Sequence, residues 1–190
     1  MEGRRPCHVC HGDGSLSHSD RQFVPNYYER LRFRSWLWDA LRTAIDASNA
    51  DFGNIQLYDS TARALRIVAH RGFERDFLSY FAEVRAGHAA CGAAMKTLKR
   101  VVSPDVAADP IFRSGGTCDV MLRARVLAVQ STPLISSHGH FMGVISTHYR
   151  RRGSPLQREL IELDGVAQDL VAKMEKHLLN ATRHGKEISF

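Results

Sequence analysis

Apolar positions first fall into a helical rhythm between Asn26 and Asn49. Leu37, Leu41, Ala44, Ile45 and Ser48 recur on one face of a 3.6-residue period, with Trp36 and Trp38 beside it. The rhythm then shortens to two. Ile55 and Leu57 alternate with Asn54, Gln56 and Tyr58, and Leu65, Ile67 and Ala69 alternate with Arg66, Val68 and His70. Asp59-Ser60-Thr61 between the two runs is turn chemistry, so the pair predicts a β-hairpin. Residues 73–82 and 89–98 read as short helices, and residues 100–103 as a short strand stopped by Pro104. Asp105 to Phe112 reads as a loop or short helix around Pro110, Gly115-Gly116 as a bend, and Asp119 to Arg125 as one or two helical turns. Residues 126–135 and 141–149 predict a second antiparallel hairpin across the loop 136–140. A long helix closes the pattern. Ser154 offers an N-cap, Pro155 a first helical position and Gln157 a capping-box partner. Leu156, Leu160, Leu163, Ala167, Leu170, Met174 and Leu178 then form an apolar stripe.

Hairpins near both ends with helices between them point to an α+β fold: a central antiparallel sheet with the terminal helices on one face. The middle segment must cover the other face, and a sheet closed from one side by loops and short helices leaves room for a small ligand. The first strand then offers Asn54, Gln56 and Tyr58 on its polar face, the penultimate strand Gln130 and Thr132, and the last strand Ser146 and His148. Cys91, Phe112 and Met121 from the covering segment complete the candidate lining. Buried polar groups need partners, which a ligand or water supplies. The long helix doubles as a candidate output and dimer surface, because its spacings of 4 and 3 resemble a coiled-coil seam; packing on its own sheet is the plainer use of that stripe.

Composition narrows the function classes. Hydrophobic residues are 44% and charged residues 24% of 190, which suits one globular domain. Lys and Arg exceed Asp and Glu by 26 to 20, but they are scattered, with the densest runs at Arg30, Arg32, Arg34 and at Arg150, Arg151, Arg152. There is no basic stripe interleaved with aromatics, so nucleic acid is not an expected partner. No apolar run approaches a membrane span, and no apolar segment follows the basic start, so the expectation is a cytoplasmic protein with reduced thiols. Four cysteines are then no disulfide framework. Cys91 stands before Gly92 at a helix start, where the helix dipole would favour a thiolate. Residues 1–25 hold Cys7, Cys10, His8, His11 and His18 and almost no aliphatic residue, and read as a flexible tail before a domain at 26–182 and a C-terminal tail at 183–190. Cys7-His8-Val9-Cys10-His11 matches a c-type haem attachment string, which needs export, and with Gly12 and Gly14 it resembles one zinc-knuckle repeat, which needs a second cysteine pair. His138 and His140 read as exposed turn residues.

Several stretches in order resemble the GAF domain family. Phe52-Gly53-Asn54-Ile55-Gln56-Leu57-Tyr58-Asp59 is similar to its first strand, and Leu65-Arg66-Ile67-Val68-Ala69-His70-Arg71-Gly72-Phe73 to its second strand and exit. Ala90-Cys91-Gly92-Ala93-Ala94 resembles the helix start after the ligand loop. Val101-Val102-Ser103-Pro104-Asp105-Val106 with Asp109-Pro110-Ile111-Phe112 resembles the short strand and its loop. Val129-Gln130-Ser131-Thr132-Pro133-Leu134 and Gly143-Val144-Ile145-Ser146-Thr147-His148 resemble the last two strands. The match spans about residues 30–180 and is most similar to modules attached to bacterial sensor kinases. The resemblance implies a small-molecule sensor of signal transduction, a pocket opposite the terminal helices, and dimers through those helices. The cofactor stays unknown. About ten residues follow Leu179, so the expectation is a stand-alone module acting through a second copy or a separate output protein such as a kinase. One branch of the family, the free methionine-(R)-sulfoxide reductases, implies an alternative in which Cys91 attacks a sulfoxide and Cys118 resolves it. A ligand-free interaction scaffold is the other alternative. The bilin-attachment signatures of phytochromes are absent.

Overall fold

The computed structural model describes residues 26–183. The expected N-terminal tail lies outside them, as do the readings on Cys7, Cys10, His8, His11 and His18. So does the expected C-terminal tail, apart from Arg183.

The first helical stretch is two helices, α1 (Tyr27–Leu31) and α2 (Trp36–Ala47), where the pattern predicts one. A single helix running on from Tyr27 and Leu31 would turn Arg34, Ser35 and Trp38 inward. The turn at 32–35 resets the phase, so that Leu37, Ala40, Leu41, Ala44 and Ile45 are buried instead. Asn26 caps α1 by accepting the Glu29 N–H at 3.1 Å. Strands β1 (Phe52–Asp59) and β2 (Ala64–Arg71) form the expected hairpin. Asp59 pins its turn. Its carboxylate accepts from the Thr61 and Ala62 N–H groups, from the Asn26 amide and from Arg66 at 2.7 Å. Burial alone would raise the pKa of this group, but those donors outweigh it and hold it below the usual carboxylate range.

The middle segment supplies α3 (Arg75–Tyr80), α4 (Ala89–Thr97), β3 (Val101–Ser103), a 3-10 turn at Pro110–Phe112 and α5 (Thr117–Arg123). Strands β4 (Ala128–Ile135) and β5 (Phe141–Tyr149) pair across the loop, and α6 (Gln157–Arg183) ends the described chain. The long helix starts later than the Ser154 capping box predicts. Leu156 takes the cap position, and the Glu159 carboxylate reaches back to accept its N–H at 2.7 Å.

The five strands run in the order β2-β1-β5-β4-β3, with each neighbouring pair antiparallel. The sheet therefore buries both faces. On one, Ile55, Leu57, Ala69, Leu134, Met142 and Ile145 pack against α1, α2 and α6. The apolar stripe of α6 packs on the domain itself, the plainer of the two uses its spacing allows: Leu163, Ala167, Leu170 and Met174 are buried there. Ile161 and Leu179 stay exposed on its outer side. On the other face Phe52, Leu65, Val129 and Val144 meet α3, α4, α5 and Phe112. Among the described residues no helix is long and apolar enough to cross a membrane.

Candidate functional site

Strand register sets the floor of the site. Phe52, His148 and Val129 are cross-strand neighbours in one row, and Asn54, Ser146 and Ser131 in the next. Gln56 follows on β1 beside Val144. The Ser131 and Ser146 hydroxyls bond each other at 2.8 Å. Asn54 Oδ1, both polar atoms of Gln56 and His148 Nδ1 are buried with no hydrogen-bond partner. These three residues are 3%, 1% and 4% exposed. Native proteins rarely leave such groups unpaired, because each unmade bond costs about 1–3 kcal/mol.

An apolar lid lies over this floor. Phe77 and Phe81 come from α3 and its end, Ala89, Ala90 and Cys91 from the start of α4, Phe112 from the 3-10 turn and Met121 from α5. Between floor and lid is a hollow of about 10 Å³, room for about one water. No Asp, Glu, Lys or Arg lines it. Ala89 sits at φ 54°, a left-handed conformation that a residue with a Cβ rarely takes, so local strain is held at the lid. A clasp ties the lid elements together. Tyr80 donates to the Gly115 carbonyl at 2.8 Å and shares a 2.7 Å bond with Thr117 Oγ1, which also lies 2.9 Å from His88 Nε2. That cluster joins α3, the approach to α4 and the start of α5. A wider groove of about 500 Å³ runs beside Phe33 and Trp38, with open walls.

Of the residues expected from sequence, Asn54, Gln56, Cys91, Phe112, Met121, Ser146 and His148 come together at this hollow. Gln130 and Thr132 do not. They face the helix side, where Thr132 donates to Gln130 Oε1 at 2.8 Å and accepts from Arg100, which pairs with Asp164 of α6. Alternation along β4 puts their neighbours Val129 and Ser131 on the hollow instead. Tyr58 does not line the hollow either: it packs with the helix-side cluster and stands edge-on to Phe141 at 5.8 Å. Phe77, Phe81, Ala89, Ala90, Val129 and Ser131 are lining residues the sequence reading missed; the aromatic pair at i and i+4 in 73–82 was the one usable signal.

The thiol expectation is corrected. Cys91 is buried, and burial pushes its thiol up to about 12, outweighing the helix-start N–H groups that favour a thiolate. Cys118 is half-buried, with its sulfur 3.9 Å from the Val106 carbonyl. Burial also holds His148 neutral, with its titration lowered to about 3. His138 and His140 are exposed in the loop. No group of three or more possible metal ligands occurs among the described residues.

The model of the GAF domain family matches residues 33–173. No curated protein matches the sequence. Among solved structures, a domain described as part of a two-component sensor histidine kinase from Sinorhizobium meliloti 1021 superposes with a TM-score of 0.67 at 18% identity, covering 79% of this chain and 96% of its own. The GAF domain of a phosphoenolpyruvate-protein phosphotransferase from Coxiella burnetii gives 0.63 at 14% identity, covering 88% and 90%. The free methionine-R-sulfoxide reductase of Neisseria meningitidis, solved with its substrate, gives 0.63 at 18% identity, covering 87% and 96%. At these identities the likeness is one of fold.

Proposed function

This chain belongs to the GAF domain family, and on that footing we propose that it is a small-molecule-binding sensory module. The ligand sits between the polar floor of β1 and β5 and the apolar lid. The observation that carries the reading is the set of buried polar atoms of Asn54, Gln56 and His148 that no protein group satisfies. A ligand would supply their partners. Because the hollow holds about one water, entry requires the lid to part, and the Tyr80–Thr117–His88 clasp is what must loosen. Binding then biases the lid and, through the sheet, the helices α2 and α6 on the far face, where a second copy or a separate output protein such as a kinase would read the change.

The reductase reading is less well supported. It needs a reactive thiolate at the site, and burial of Cys91 works against one. The test of the sensory reading is direct. Protein purified from its own cells is denatured, and the released small molecules are analysed by mass spectrometry. The expected result is one compound in near-stoichiometric amount, absent from Gln56→Met protein. Release of nothing, together with no compound that raises the melting temperature, overturns the proposal.

A further inference from the structure

We propose that the hollow takes an uncharged compound with a cyclic-amide edge, a C=O beside an N–H, bound head-on to the Gln56 carboxamide. The inference rests on the sensory reading above and specifies its ligand. Gln56 is 1% exposed, and both Nε2 and Oε1 are unpartnered. A free donor beside a free acceptor on one planar group matches a planar edge of opposite order, two hydrogen bonds at once. Asn54 Oδ1, on the same face of β1, is a further acceptor, and His148 Nδ1 is a further polar contact two rows from Gln56.

The same lining argues against a charged ligand. No Asp, Glu, Lys or Arg reaches the hollow, and the one titratable base there, His148, is 4% exposed with Nδ1 unpartnered. A buried unpaired carboxylate or ammonium costs far more than an uncharged polar group, and only a paired countercharge offsets it. The start of α4, at Ala89 to Cys91, also opens on the hollow with no side-chain cap. A helix start carries about half a positive charge and suits a ligand carbonyl oxygen, while a full anion in the hollow would also face the unpartnered acceptor oxygens of Asn54 and Gln56. The lid is Phe77, Phe81, Phe112 and Met121, which fits the flat apolar body of a ring.

The probes are a matched pair: uracil, uncharged at neutral pH, and orotate, the same ring bearing a carboxylate, with δ-valerolactam as the smallest cyclic amide. Binding is followed by two-dimensional NMR of labelled full-length protein, including the side-chain amide of Gln56. Uracil or valerolactam is expected to saturate at millimolar concentration and to shift the Gln56 amide, with orotate about tenfold weaker or more. Gln56→Met should lose about tenfold in affinity for the amides while melting no lower than the parent, which separates a lost contact from a lost fold. Orotate binding as tightly as uracil overturns the uncharged class and leaves the sensory reading standing. Failure of both cyclic amides at millimolar concentration overturns the inference, and the sensory reading then stands or falls on the release assay. Amide binding that Gln56→Met does not weaken overturns the assignment to Gln56.

Discussion

Acidification from about pH 6.5 towards pH 3 is expected to cost the folded domain about 1.4 kcal/mol per pH unit through His148 alone. The imidazole stands edge-on against the stacked rings of Phe73, at 5.0 Å, and Phe77, at 6.0 Å, and Nδ1 meets no protein partner. Burial therefore disfavours the charged form and lowers its titration to about 3. In the unfolded chain the same group protonates near its ordinary value of about 6.5. Between those two values the unfolded state holds a proton that the folded state does not. Stability therefore rises with pH through the window and is flat above it. Other groups move in the same range, notably the hydrogen-bonded Asp59 carboxylate and the part-buried His70 and His88. The clean readout is a difference. Denaturant unfolding of wild type and His148→Phe is compared at steps from pH 7.5 downward, so that shared groups cancel. The gap between the two curves should change by about 1.4 kcal/mol per unit below pH 6.5 in favour of the variant. Parallel curves would mean that His148 takes up its proton in the folded state as readily as outside it.

Gly143→Ala is expected to destabilise by about 3 kcal/mol or more. A Cβ at this position of β5 would lie 2.2 Å from the Gln56 carbonyl oxygen and 3.1 Å from the Leu57 Cα. Both are backbone atoms of β1, and no rotamer change relieves them. The strands must separate, and because Gln56 is displaced with its backbone, ligand affinity should fall along with stability. Gly53→Ala makes the comparison. The nearest atoms to its Cβ would be side-chain ones, Ile45 Cγ1 and Leu41 Cδ1 at 2.9 Å, which can shift where backbone cannot. Urea unfolding of both variants should therefore give a much larger loss at 143 than at 53; equal losses would contradict the close approach of β5 to β1.

The strands of the site were legible where one parity is apolar and the other polar. On β1, Ile55 and Leu57 against Asn54, Gln56 and Tyr58 left one choice; Asn54 and Gln56 line the hollow, while Tyr58 packs with the helix-side cluster. On β4 both parities carry polar residues, and both are buried. Gln130 and Thr132 satisfy one another and Arg100 on the helix side, while Ser131 bonds Ser146 on the other. Alternation cannot rank two polar faces; only register against β5 does. The break in the first helix was hidden for a related reason. It contains no Gly or Pro, and its cause is a phase shift between Leu31 and Leu37 that appears only once the sheet is there to be covered. The lid was legible in part: Phe112 and Met121 were expected there, but Phe77, Phe81, Ala89 and Ala90 were not, because what brings these distant segments together is the fold, including a clasp of Tyr80, His88 and Thr117 with no spacing of its own. Cys91 misled because a helix start and burial push a thiol in opposite directions, and burial is invisible in the sequence.

The central claim is that the unpaired polar atoms of the floor exist for a ligand and not for the fold. Equilibrium unfolding of ligand-free Gln56→Met against wild type tests it most directly. Methionine keeps the length of the side chain and removes two buried groups that nothing satisfies. The expectation is a gain of about 1–3 kcal/mol, in a protein that no longer retains the small molecule. A variant less stable than wild type would mean that Gln56 is held by bonds the folded protein needs, and the floor would then be structure and not receptor.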